Sequence, residues 1–462
     1  MTMRASELTH RFMARIEFEA ETPIFIGAGR SGPLIDALIR TDWNGLPMIP
    51  GTALAGVLRH SITRNGDLLD YWNELFGYQR RSEGVGSRLR VSDALMILHD
   101  GKVMEDVYAE VPLEIQEMMK DLPKRHHVRI THRGAAEKTG LFDNQILPKG
   151  ARFRCEIILA GNAEKDGDPW MELLSQLQSP QFRLGQGTRK GYGRLKVHDL
   201  SHRVFALRVP DDRKAFLEHN PSLNVKPQAN RVVTKPAERR RVLTYRLALK
   251  PDSFFIFGAG KGDEKADHVP VTEWVFKYDT NGRIGKMEGR FLIPASSIKG
   301  AISHRVCFHH NRILGRYVDT PDNLAKRKEE CEAVSWLFGS ASDHSRQEAK
   351  GHVGRVIIDD MLRDDLASDA IFNHVTIDRF TGGAKRGFLF SERVNHFKST
   401  DSSIEIKVHV DMTRGGECPK NYRVALELAL KDICSGMLPL GGMTTKGHGV
   451  FKGELYRGDE KI

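Results

Sequence analysis

The chain has 462 residues and a formal net charge of +10, from 70 Lys and Arg against 60 Asp and Glu. That length allows two domains, each with its own core. Its five cysteines are scattered without a CxxC pair, residues 1–12 carry no apolar run of signal-peptide length, and no stretch nears the ~20 apolar residues of a membrane helix. A disulfide scaffold and a helical membrane protein are thereby excluded, and a soluble, cytoplasmic protein is expected.

An alternating strand over residues 14–26, with Ile16, Phe18 and Ala20 on one face, runs into the glycine turn Phe25-Ile26-Gly27-Ala28-Gly29. An extended acidic segment, 33–42, follows. Ile49-Pro50-Gly51 then leads into a helix over 52–62, which Thr52 can cap and in which Leu54, Val57, Leu58 and Ser61 recur at helical spacing. After Leu75-Phe76-Gly77 comes a short strand at 89–93, then a charged, irregular excursion over 97–150. Phe153, Cys155, Ile157 and Leu159 alternate as a strand, and residues 170–177 form an amphipathic helix behind Asp168-Pro169. The loop Leu184-Gly185-Gln186-Gly187-Thr188-Arg189-Lys190-Gly191-Tyr192-Gly193 leads to a last strand at 195–197. Residues 201–242, rich in Pro, Arg, Lys and Asn, have no counterpart elsewhere and are read as a linker.

The series then repeats. A strand over 245–257 ends in Ile256-Phe257-Gly258-Ala259-Gly260, and a second extended segment, 270–279, carries Glu273 and Asp279. Ile293-Pro294-Ala295-Ser296 opens a helix over 296–306, Leu337-Phe338-Gly339 recurs, and a strand follows at 354–359. Residues 404–410 alternate as a strand and 422–433 form a helix. Leu440-Gly441-Gly442-Met443-Thr444-Thr445-Lys446-Gly447-His448-Gly449 closes the half. Matches in one order mean a tandem duplication. The domains are 1–200 and 243–462. Each reads β–α–β, excursion, β–α–β, so the fold class is α+β with two ferredoxin-like, RNA-recognition-motif-like units.

Two basic runs, 124–129 and 235–241, suit either a polyanion partner or a solvated face. The glycine loops suit either a turn or a backbone cradle for an anion, to which Arg189, Lys190 and Arg194 add charge. The Walker A spacing is absent. Cys307, His309, His310 and Cys331 match no known zinc spacing. His126, His127 and His132 are either surface groups or RNA contacts.

Residues 49–59 and 293–302 resemble the IPG-SS-x-KG-x-hR signature of CRISPR-associated RAMP proteins. The Leu-Phe-Gly pairs and both glycine loops are similar to theirs, in order and twice. The chain is closest in kind to the backbone subunit of type III interference complexes, and as a fused pair resembles the two-repeat subunit of type III-D variants. The resemblance implies that each unit is a modified RRM-like fold whose groove and glycine loop hold guide RNA. Arg59, Arg129, His132, Arg133, Phe142, Gly187, Arg189, Lys190, Gly191, Lys299, Arg379, Lys446 and Gly447 would contact RNA. Each excursion would carry a thumb-like β-hairpin, at 128–142 and 375–390, whose Ile130, Leu141, Phe142, Phe380 and Phe388 either splay bases or anchor the loop. Asp36 matches the family's cleavage aspartate. In the second unit Asp267, Glu273 or neither takes that role, with activity favoured and Asp267 preferred to Glu273. Asp42 and Asp279 are read as structural.

The implied activity is cleavage of complementary target RNA, with Mg²⁺ or Mn²⁺ held by Asp36 and Asp267 and no organic cofactor. Implied partners are guide RNA, target RNA, and other RAMP and large-subunit proteins, with no membrane. The alternatives are a non-catalytic guide-binding scaffold and a guide-precursor processing endoribonuclease.

Overall fold

A computed structural model describes residues 7–32, 35–62, 69–80, 82–131, 135–179, 181–231, 242–316, 331–340, 351–413 and 416–462. In the first repeat β1 (His10–Ala20) leads through α1 (Gly51–Ile62) to β2 (Leu89–Val91). A hairpin of β3 (Lys124–Ile130) and β4 (Ala136–Gln145) precedes β5 (Arg152–Gly161), α2 (Ala163–Leu177) and β6 (Leu195–Ala206). The second repeat has the same series: β7 (Val242–Pro251), α3 (Ala295–Ile313), β8 (Val356–Ile358), the hairpin β9 (Leu366–Ile377) and β10 (Ala384–Phe397), then β11 (Ile404–Asp411), α4 (Lys420–Cys434) and β12 (Phe451–Arg457). Hydrogen bonding runs β6–β1–β5–β2 in one sheet and β12–β7–β11–β8 in the other, antiparallel throughout. This is the ferredoxin-like βαββαβ order with a hairpin inserted after the second strand, and it occurs twice.

The strand alternation sets the core. Ile16 sits between Cys155 and Leu200, and Leu247 between Ile406 and Leu455, all buried under the helices. The helices start one residue earlier than the spacing suggests. The Gly51 amide is held at 2.8 Å by Asp93, from just after β2, and the Ala295 amide at 2.8 Å by Asp360, from just after β8. A carboxylate brought in by the sheet thus caps each helix, in place of Thr52. α2 also starts early, at Ala163, where the Asn162 side chain accepts the Glu164 amide (2.9 Å), and it contains Pro169. Both hairpins extend beyond their expected limits, from Lys124 to Gln145 and from Leu366 to Phe397.

The linker reading is corrected at three places. Residues 201–206 continue β6, residues 210–217 form a helix with Pro210 in its first turn, and Asn230–Arg231 pairs with Ser201 and His202. Proline and charge in this stretch are helix-start and surface features rather than marks of a tether. The basic run 235–241 lies outside the described residues. The repeats instead share a core. Trp274, Phe276 and Ile284 of the second repeat are buried in the first repeat's hydrophobic cluster. The Phe276 amide donates to the Lys149 carbonyl (2.8 Å), and the Tyr278 hydroxyl to that of Ile97 (2.7 Å). Among the described helices none is long and apolar enough to cross a membrane.

Candidate functional site

Asp36 is exposed in the segment between β1 and α1. Its amide donates to Asp143 Oδ1 (2.8 Å), and its Oδ2 accepts the Asp143 amide (2.9 Å), so it is tied to the return strand of the first hairpin. Ala37 forms a parallel bridge with Asn144. The second repeat reproduces this with Asp267. The Asp267 amide donates to Ser391 Oγ (3.2 Å), and its Oδ2 accepts the Ser391 amide (2.7 Å) and hydroxyl (3.0 Å). His268 then bridges Glu392, as Ala37 bridges Asn144. Asp36 and Asp267 are therefore equivalent positions on equivalent hairpins. The Ser391 bonds hold the Asp267 carboxyl below the usual carboxylate range.

Glu273 is not at this site. It is 5% exposed and pairs with Arg125 at 2.5 Å, and Arg125 also meets Asp360 at 2.6 Å. Burial pushes the Glu273 and Asp360 carboxyls up, against the pull of the guanidinium. The mismatch has a physical origin. Asp42 and Asp279 are true counterparts, each accepting two amides of its own turn. Yet the bridge Gly27–Ile39 corresponds to Gly258–Pro270, and the strand Thr272–Tyr278 occupies the longer stretch between anchors. Counting back from Asp279 lands in that strand.

A second duplicated feature lies on the hairpins. The His127 ring stacks on Phe142 (4.9 Å, 22°), and Lys190 of the glycine loop lies 5.9 Å from the Phe142 centroid. In the second repeat His374 stacks on Phe390 (5.0 Å, 26°), with Lys446 at 3.8 Å. Behind these rings the repeats differ. His127 Nε2 bonds the Tyr192 hydroxyl (3.1 Å), and burial with help from Lys190 and Arg125 pushes its pKa down to about 4. In the other, fully buried Glu392 bonds both His374 (2.7 Å) and His448 (2.8 Å). Asp143, Ser391, His374, Glu392 and His448 escaped sequence reasoning as site residues. Their signal is pairing register, which the sequence does not display.

The glycine loops close tightly. At Gly185 and Gly441 φ is +85° and +95°, and a Cβ would come within 2.3 Å of the Phe25 and Ile256 carbonyls. Gly187 has Met443 as its counterpart, still left-handed at φ +56°. In the first loop the amides of Gln186, Lys190, Tyr192 and Gly193 bond protein carbonyls.

Much of its charge serves the joint between repeats. Arg189 pairs with Asp411 (3.0 Å), Gly191 packs against Asp360, and Lys299 donates to the carbonyls of Arg189 (3.1 Å) and Val356 (3.2 Å). Burial pushes Lys299 down to about 7. Lys190, Lys446 and Gly447 are exposed. Arg59 bonds Asn73 (2.9 Å), and Arg129 pairs with Glu137 (2.9 Å). Arg379 is exposed beside Phe380, which is 99% exposed at the tip of the second hairpin. Ile130, Leu141, Phe142 and Phe388 are also exposed rather than anchored. His132 and Arg133 lie outside the described residues.

The cysteine–histidine group is divided, His309 bonding Asp432 (2.7 Å) and His310 bonding Cys331 (3.5 Å). Among the described residues no three His, Cys, Asp or Glu side chains are grouped to hold a metal.

The sequence matches the family model described as the RAMP superfamily over residues 17–196 and 276–452. Among curated proteins none matches it. Two solved structures with a likeness to it are the type III-B Cmr-beta complex in its apo state (14% identity, TM-score 0.33) and the same complex bound to cognate target RNA (13%, 0.32). Each likeness covers 40% of this chain and 96% of the other.

Proposed function

The chain belongs to the RAMP superfamily, and from that premise we propose that it is a backbone subunit of a type III CRISPR effector, of the two-repeat kind found in type III-D variants. In this reading it holds guide RNA along both repeats and cuts complementary target RNA at Asp36 and Asp267. The observation that carries the proposal is the reciprocal aspartate–hairpin pair, built twice with the same register. Each pair puts an exposed aspartate beside a hairpin whose outer part exposes large apolar side chains. Lys190 and Lys446 would bind phosphates, which grips any guide without reading its bases. Exposed Phe380 and Phe388 would unstack the duplex and turn a target nucleotide outward. Cleavage then needs the target 2′-hydroxyl in line with its own phosphate: Asp36 or Asp267 orients that hydroxyl and accepts its proton directly or through water, the 2′-oxygen bonds phosphorus to give a 2′,3′-cyclic phosphate, and the P–O5′ bond breaks, the departing 5′-oxygen taking a proton from water.

Each site offers one exposed aspartate, with Asp143 beside Asp36 and Ser391 beside Asp267, and a hard cation that keeps several waters takes one or two carboxylates. Asp36 and Asp267 would hold Mg²⁺ or Mn²⁺, which supplies charge neutralisation and a more acidic hydroxyl when bound. Partners in this reading are guide RNA, target RNA, and the other RAMP and large-subunit proteins of the complex.

The test is cleavage of labelled complementary RNA by the assembled guide complex with Mg²⁺. Asp36→Ala and Asp267→Ala should each remove one cut and leave the other. An unchanged pattern in both rejects catalysis by this chain and leaves a guide-binding scaffold. Cutting of precursor repeat RNA without divalent ions would instead identify a processing enzyme.

A further inference from the structure

Resting on the cleavage reading above, we propose that Asp143 and Ser391 are the positioning residues of the two sites. Asp36 and Asp267 lie outside regular strands, where a side chain is free to turn. Each is fixed instead by a ring of reciprocal bonds to one residue of a registered hairpin strand. Asp143 stands opposite His126 on β3, and Ser391 opposite Asn373 on β9. The next backbone bonds repeat as well, from the Gln145 amide to the Ala37 carbonyl (3.0 Å) and from the Arg393 amide to the His268 carbonyl (2.8 Å).

The duplicated halves keep the ring while the clamping side chain changes from carboxylate to hydroxyl. What the two share is therefore placement. Their chemistry differs. Ser391 donates its hydroxyl to Asp267 Oδ2 (3.0 Å), which occupies one of its lone pairs. The Asp143 carboxyl instead accepts from the Asp36 amide at Oδ1, with His126 3.9 Å from its Oδ2. Around Asp267 the other charged or titratable groups are His268 and the Arg393–Asp263 pair.

The experiment is single-turnover cleavage by the assembled complex, reading each cut separately on end-labelled target and measuring target affinity in parallel. A carboxylate released from its clamp loses alignment, which costs about tenfold in rate for a displacement under 1 Å. Asp143→Ala should therefore slow the first cut about tenfold with affinity unchanged, and Asp143→Ser should restore it. Ser391→Ala should slow only the second cut, again about tenfold with affinity unchanged, and Ser391→Thr, which keeps the hydroxyl, should restore it. The proposal is overturned if neither alanine changes its own cut, or if both cuts and affinity fall together, as a merely weakened hairpin would give. If Asp36→Ala leaves the first cut intact, the cleavage reading has failed. If Asp36→Ala abolishes the cut while Asp143→Ala does nothing, only the clamp has failed.

Discussion

Arg125 should be among the most costly side chains to remove. Its guanidinium, 9% exposed, bonds Glu273 at 2.5 Å and Asp360 at 2.6 Å, whose side chains are 3% and 2% exposed. Arg125→Met keeps the apolar stem and deletes the charge, leaving two buried carboxylates without a cation. Breaking one buried pair costs about 3–5 kcal/mol, and with two anions stranded the upper end, about 5 kcal/mol, is expected. The cost should depend on pH. A carboxyl whose folded pKa is raised contributes stability that is present below its unfolded value and is lost as pH rises through the folded one. Burial raises both carboxyls, so protonation relieves the variant in acid and the deficit should be larger at pH 8 than at pH 5. Adding Glu273→Gln should recover part of the loss. Asp360→Asn should cost more than Glu273→Gln, because Asp360 also caps the Ala295 amide. The assay is equilibrium urea unfolding at both pH values, by tryptophan fluorescence and circular dichroism together, since coincident curves are needed for a single free energy. Trp274, buried in the joint, reports on it directly. A deficit below about 1 kcal/mol, the range of an exposed ion pair, would refute the argument, as would a deficit equal at both pH values.

Other expectations bear on the groove. His127 titrates near 4 against an ordinary 6.5, so the unfolded chain takes the proton first. Its contribution is complete above about pH 6.5 and drains away as pH falls toward 4. His127→Gln should flatten that part of the acid loss in the urea midpoint, and an equal loss in both proteins would assign it to another group. Lys190→Ala and Lys446→Ala should each weaken guide RNA binding and reduce the slope of log affinity against log salt by about 0.7, the value for one single-strand phosphate contact. An unchanged slope would remove that lysine from the phosphate path.

The fold was legible because its evidence is local and repeated. Strand alternation, the Ile-Pro turns into both helices and the closing glycine loops each occur twice in one order, and they mark the βαββαβ order of both sheets. Distant partners were not legible. Arg125 lies in a basic run that suits a polyanion partner or a solvated face, and the carboxylates that bury it come from the other repeat. Lys299 and Arg189 carry the charge expected of RNA contacts but spend it on the joint. The helix over 210–217 was hidden by its proline and charges. Asp267 could be named but not separated from Glu273, because only the pairing of residue 268 with the second hairpin tells them apart.

The shared core between repeats gives the molecule a metric property. Trp274, Phe276 and Ile284 sit in the first repeat's interior, and a buried ion triad pins the base of the first hairpin to the second repeat. A string-like tether would let Asp36 and Asp267 wander relative to each other, spreading any two events they govern over a range of lengths. A packed joint holds their separation constant, so the chain behaves as a ruler with two fixed marks. On the proposed cleavage reading, fragments released between those marks should have one length whatever the sequence lying across them.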